Sequence, residues 1–206
     1  ENTNIVFRSG GLLRLKVDKL LQKRAFEQSK VYVFSSFMRD QVRSSLGRHQ
    51  NNQLIQKVEP GLDWCRFAIA SSTKQENLRK QLGLPQKEKL FLFVGRFVKA
   101  KGIHFFIEAM SFLPSHCVAV LVGEGQQKEY LQKQVVKLGL NQRVIFVAPT
   151  TLVEDYYQAC DTFVMPSTYE PFGQTILEAV ACGCKVVAFS DKTHVINVYI
   201  NGKNKK

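Results

Sequence analysis

Two carboxylates, Glu170 and Glu178, bracket the stretch Pro171-Phe172-Gly173-Gln174-Thr175-Ile176-Leu177. Glu170 falls in a loop, and Glu178 falls about one turn inside the helix that the following residues predict. The residues between them form a helix start, whose free N–H groups and dipole attract phosphate. A carboxylate accepts hydrogen bonds well from a vicinal diol, such as the one on a ribose. Glu178 also sits beside Leu177, Ala179 and Val180, in a segment (176–182) apolar enough to be largely buried. A carboxylate in such a place needs a partner.

A second loop reads Gly95-Arg96-Phe97-Val98-Lys99-Ala100-Lys101-Gly102. Glycine lets the backbone turn closely there, and Arg96 and Lys101 supply two cations. Two fixed cations suit a diphosphate, each charge-assisted contact contributing ~1.5–3 kcal/mol. The G-x4-G-K-[ST] pattern of a Walker loop is absent. Phosphate donors flanked by two diol acceptors describe a site for a nucleotide sugar.

These loops need a scaffold that brings them together. Apolar runs predict strands at 90–94, 118–122, 144–147, 162–165 and 185–189, and helical spacing predicts helices at 103–112, 126–138, 152–159 and 174–182. Strands that are apolar throughout, alternating with helices, indicate a parallel sheet covered on both faces. Ligands of such α/β sheets bind beyond the C-terminal strand ends, where both loops lie. Upstream, the pattern reads helix 11–28, strand 31–34, helix 36–46 with Ser36 as its N-cap, and strand 54–58, closing on the turn Glu59-Pro60-Gly61-Leu62-Asp63. Residues 64–88 read as a connector holding one helix, 73–82.

Composition limits the remaining options. Hydrophobic residues make up 45% of the 206, enough for a buried core and too many for a disordered chain. The longest apolar runs fall far short of the ~18 residues a membrane helix needs. Cys65, Cys117, Cys160, Cys182 and Cys184 are scattered among apolar neighbours, which indicates reduced, mostly buried thiols in a cytoplasmic protein and no zinc site. The net charge is +12, of which +8 lies in residues 1–85 and +4 in 86–206. Such an excess favours anionic partners. No zinc finger, aromatic RNA-binding strand or recognition helix accompanies it, so no specific nucleic acid is expected. The basic, amphipathic segment 11–28 fits either a helix packed on a sheet or peripheral contact with an anionic membrane at its inner face.

With these residues in view, the chain resembles the retaining glycosyltransferases of the GT-B fold, family 4. The Glu170–Glu178 pair, with Asp161-Thr162-Phe163-Val164-Met165-Pro166-Ser167 before it and Ala179-Val180-Ala181-Cys182-Gly183 after it, matches the family's E-x7-E donor signature. Gly95-Arg96 with Lys101-Gly102 matches its diphosphate loop, and Leu121-Val122-Gly123-Glu124-Gly125 matches a recurrent strand–turn. Val33-Phe34-Ser35-Ser36-Phe37-Met38-Arg39 and Pro60-Gly61-Leu62-Asp63 resemble the last pieces of its N-terminal domain.

The resemblance implies a Rossmann-like α/β fold read in three parts. Residues 1–63 are the C-terminal part of the acceptor-side domain, 64–88 a linker, and 89–206 a donor-binding domain incomplete at its C-terminus, with both chain ends read as cut. It implies transfer of a hexose from a nucleotide-diphosphate sugar, UDP- or GDP-linked, to a glycan or lipid acceptor, with retention and with neither cofactor nor metal. Donor binding then falls to Gly95, Arg96, Lys101, Glu170, Phe172, Gly173, Gln174, Thr175 and Glu178. Among these, Arg96, Lys101 and Glu170 would be catalytic: Arg96 and Lys101 would stabilise the leaving diphosphate and Glu170 would hold the sugar, while Glu178 would hold the ribose. This chain departs from the family pattern at Val147-Ala148-Pro149-Thr150, near the base, where a usual glycine is missing. It departs again at Asp191-Lys192-Thr193-His194-Val195-Ile196-Asn197, where the loop after the fifth strand normally contains one. The alternative reading is a truncated, non-catalytic remnant that binds nucleotide.

Overall fold

The computed structural model describes residues 5–6, 30–33, 36–46, 55–58, 61–168, 170 and 173–189. They fall into two compact units divided after Gly61. In the first, strands β1 (Ile5–Val6), β2 (Val31–Val33) and β3 (Ile55–Lys57) form a parallel sheet in that order. Helix α1 (Ser36–Leu46) places Met38 and Val42 against Val31 and Val33 in a small core. Strand β1 pairs Ile5 with Val31. Sequence periodicity does not reveal it, because two residues carry no period. Ser36 is the first residue of α1 rather than its cap. The segment 11–28 lies outside the described residues, as do Phe34, Ser35 and Pro60.

The second unit, Leu62–Ser190, holds the five-stranded sheet. Its first helix, α2 (Ser72–Gln81), starts where the Ser71 hydroxyl accepts from the Lys74 N–H at 3.2 Å. The strands are β4 (Lys89–Val94), β5 (Cys117–Val122), β6 (Val144–Val147), β7 (Thr162–Met165) and β8 (Lys185–Ala188). All neighbours are parallel, in the order β6-β5-β4-β7-β8. The helices between them are α3 (Ile103–Met110), α4 (Lys128–Lys137), α5 (Val153–Ala159) and α6 (Gln174–Ala181).

The expected α/β sheet is therefore present, with strand and helix ends within one or two residues of their predicted places. Every residue of β5 is buried, as its unbroken apolar run requires. The main core gathers Phe93 and Leu121 from the sheet, Phe97 from the loop, Ile107 and Met110 from α3, and Leu131 from α4.

Strand order fixes where a ligand can sit. From β4 the chain moves outward to β5 and β6, then returns to β7 on the other side of β4 and continues to β8. Right-handed crossovers put helices on opposite faces for the two directions. The order reverses between β4 and β7, and at such a switch point the ligand crevice of an α/β sheet lies beyond the C-terminal strand ends.

Arg79 anchors the opposite, N-terminal end of the sheet. Its Nε donates to Ala159 O at 2.8 Å, and its Nη2 pairs with Asp161 at 3.0 Å. The same Asp161 oxygen accepts from the Leu90 N–H at 2.8 Å, which ties β4 to the start of β7.

Candidate functional site

The two loops singled out in the sequence meet at this crevice. The β4 loop leaves through Gly95 and Arg96, makes a short 3-10 turn at Lys99–Lys101, and enters α3 at Gly102. Gly102 has φ +63, and a Cβ there would lie 1.9 Å from Pro166 O in the β7 loop. Only glycine permits both that conformation and that approach. The Thr168 N–H completes the contact, donating to Ala100 O at 3.0 Å. Gly123, after β5, is just as confined, since a Cβ would lie 1.9 Å from Gly95 O. Glycines thus lock three strand-end loops together by backbone contact.

Lys101 Nζ forms an ion pair with Glu170 Oε2 across the crevice. Glu170 Oε1 accepts from the Gly173 N–H at 3.1 Å, at the start of α6. Glu170 is only 8% exposed, so it is not a solvated loop acid. The N–H groups of Gln174 and Thr175, in the first turn of α6, have no acceptor within the helix. Arg96 is exposed, and its guanidinium makes no hydrogen bond or ion pair among the described residues. Phe172, expected to contribute here, lies outside the described residues, as does the stretch 191–197.

Beside this charged centre is a cavity of about 400 Å³, lined by Val94, Gly95, Arg96, Val122, Gly123, Glu124, Pro149, Thr150 and Val153. Its walls are largely apolar, and Pro149 and Thr150 belong to the loop that lacks the usual glycine. The cavity forms there all the same.

Glu178 has the partner that its surroundings demand: the Tyr157 hydroxyl donates to its Oε2 at 3.0 Å. Burial pushes the Glu178 carboxyl above the ordinary range. The Tyr157 hydrogen bond, the Arg66 charge and a Gln174 hydrogen bond oppose that shift without cancelling it. Tyr157 itself is driven well above the usual phenol range, first by burial and then by Glu178. Segment 176–182 is buried on one face only: Ile176, Ala179 and Cys182 are inside, whereas Leu177 and Glu178 are half-buried and Val180 is exposed. Amphipathic helix packing, rather than complete burial, is the reason.

Arg66, in the connector, was not marked by any sequence motif. It donates to Thr151 O and, at 2.6 Å, to Glu154 Oε2, thereby fastening the loop that carries Thr150. Burial raises the Glu154 carboxyl, but the Arg66 hydrogen bond, a backbone hydrogen bond and the Arg66 charge together hold it below the ordinary range.

All five cysteines are free thiols, four buried and Cys65 exposed. Burial pushes Cys182 up to about 11 and Cys184 up to about 12, so neither is a nucleophile at neutral pH. No helix among the described residues is long and apolar enough to cross a membrane.

Residues 74–205 match the protein family described as Glycosyl transferases group 1. The chain belongs to that family. Over 170 residues it is 32% identical to an uncharacterized glycosyltransferase of Methanocaldococcus jannaschii, covering 80% of this chain and 43% of that protein. Over 146 residues it is 36% identical to the D-inositol 3-phosphate glycosyltransferase of Corynebacterium jeikeium, covering 65% of this chain and 35% of that one. Among solved structures, Anabaena HepE in complex with UDP and glucose superposes with a TM-score of 0.76 at 28% identity, over 85% of this chain and 48% of that one. The chain thus spans less than half the length of the curated relatives it matches.

Proposed function

We propose that this chain supplies the donor half of a retaining group 1 glycosyltransferase, which moves a hexose from a nucleoside diphosphate to a glycan or lipid acceptor. The observation that carries this reading is the meeting of Lys101, Glu170 and the α6 start at the strand-order switch, beside an apolar cavity. The C-terminal half, from 89 onward, is the donor domain, 64–88 a linker, and residues 1–63 belong to the acceptor side.

In this reading the base enters the cavity lined by Val94, Val122, Pro149 and Val153. The ribose diol donates to Glu178, and the diphosphate lies between Arg96, Lys101 and the N–H groups of Gln174 and Thr175. A lysine ammonium has three donors. Glu170 uses one of them, leaving two for phosphate oxygens. Both Glu170 oxygens keep a spare lone pair for the hydroxyls of the sugar. As the glycosidic bond breaks, negative charge grows on the diphosphate, and preorganised cations there lower the barrier. Removing one such stabiliser costs ~2.7–4 kcal/mol of barrier. The HepE complexes with UDP and with UDP-glucose support the choice of a uridine donor over a guanosine one.

Thermal melting against UDP and GDP tests this reading. At 100-fold excess over Kd, a ligand of the folded state adds about 2.7 kcal/mol. That raises Tm by about 5–10 °C for a unit of this size. Stabilisation by UDP above that by GDP is expected. No shift with either nucleotide at millimolar concentration would refute the proposal.

A further inference from the structure

Glu178 is a half-buried carboxyl with no ion-pair partner among the described residues. Its side-chain donors among the described residues are Gln174, on its own helix, and Tyr157, which reaches it from a different helix at 3.0 Å. Tyr157 is completely buried. Its ring is wedged edge-on against Phe67, with centroids 6.2 Å apart, and tilted against Phe163 at 5.6 Å. Its backbone carbonyl also accepts from Cys184 Sγ at 3.0 Å. Packing on the ring therefore fixes where the hydroxyl sits, and the hydroxyl fixes Glu178 Oε2. A carboxylate offers about four lone-pair sites, so the remaining ones stay available to a ligand.

We infer that Tyr157 is a positioning residue for the donor, acting through Glu178 to aim and hold that carboxylate as the acceptor of a vicinal diol. This rests on the reading of Glu178 as the ribose acceptor. Tyr157 does not touch the nucleotide.

Several charged and titratable groups bear on Glu178. Glu154 and Tyr157 face it from α5 and Arg66 from the connector, with Cys182 beyond its own helix and Asp63 bearing on Arg66. Glu154 opposes ionisation of Glu178, whereas Tyr157 and Arg66 favour it. Loss of the Tyr157 hydroxyl therefore moves protonation of Glu178 to higher pH, and the acid-side loss of nucleotide affinity moves with it.

The test is calorimetric titration of the full chain between pH 5 and pH 8 with UDP and with GDP, using whichever binds more tightly as the probe. Four proteins are compared: the unaltered chain, Tyr157→Phe, Glu178→Gln and the double variant. Tyr157→Phe keeps the ring, and an unchanged melting profile verifies its packing. At pH 7 it weakens binding about 10-fold, the scale of a hydrogen bond to a charged group. Its affinity also begins to fall at a higher pH than that of the unaltered chain. In the Glu178→Gln background the same change has no further effect, because its route to the nucleotide has gone. Effects that multiply in the double variant, or a Tyr157→Phe protein with unaltered affinity and pH profile, would overturn the inference. Unweakened binding by Glu178→Gln, or no binding of either nucleotide by the unaltered chain, would instead overturn the reading beneath it.

Discussion

Arg79 and Arg96 sit at opposite ends of β4, and the protein treats them in opposite ways. Arg79 is 7% exposed, and its guanidinium is engaged by Ala159 O, Glu88 O, Gln86 O and Asp161. Arg96 is exposed and its guanidinium makes no hydrogen bond or ion pair among the described residues. The N-terminal end of the sheet is closed by fully paired charge. Its C-terminal end is held by glycine contacts, with Lys101 paired to Glu170 and Arg96 exposed and unpaired among the described residues. Satisfied charge builds the scaffold, and the unpaired Arg96 is, on the proposed reading, the charge left for a ligand.

The sharpest way to break this contrast is Arg79→Ala. It leaves Asp161, one-third exposed, with only the Leu90 N–H and frees three carbonyls, at a cost of about 2–4 kcal/mol. Urea unfolding should show that loss, with nucleotide affinity of the remaining folded protein unchanged. Gly102→Ala comes next, costing about 1–3 kcal/mol through a left-handed backbone and a collision with Pro166 O. Unlike Arg79→Ala, it should also weaken nucleotide binding, because it pushes the two loops apart.

A smaller effect comes from pH. Glu178 has a raised carboxyl value in the folded chain, so its contribution to stability is complete at pH below the ordinary carboxylate range and is lost as pH rises through the raised value. Glu154, held low, acts in the opposite direction, losing its contribution as pH falls. The difference in Tm between the unaltered chain and Glu178→Gln isolates the first effect. It should turn increasingly in favour of Glu178→Gln between pH 4 and pH 7 in the absence of nucleotide, and a flat difference would contradict the assignment. Arg96→Ala should alter stability least, within about 0.5 kcal/mol in the same urea assay.

How much of this was legible beforehand depends on distance along the chain. Strands β4 to β7 could be read to within one residue, since a strand buried on both faces is written as an unbroken apolar run. The Glu170–Glu178 spacing was readable because one turn and one helix link the pair. The Lys101–Glu170 contact was not. Those residues are 69 positions apart, and only the strand order brings them together. Tyr157 gave no signal either, because a tyrosine on the inner face of a helix reads as core. What distinguishes it is a carboxylate from α6 at its hydroxyl. Arg66 was hidden in a connector without periodicity, and its role is visible only when Thr151 and Glu154 lie beside it. A carboxylate among apolar residues did signal the existence of a partner for Glu178, without naming it.

Calorimetry of UDP with the unaltered chain and with Arg96→Ala is the sharpest test of whether the unpaired Arg96, beside the Lys101–Glu170 pair, serves a diphosphate. A folded Arg96→Ala protein is expected, with affinity lowered about 10- to 100-fold, the loss of one charge-assisted phosphate contact. Equal affinity in the two proteins would contradict it.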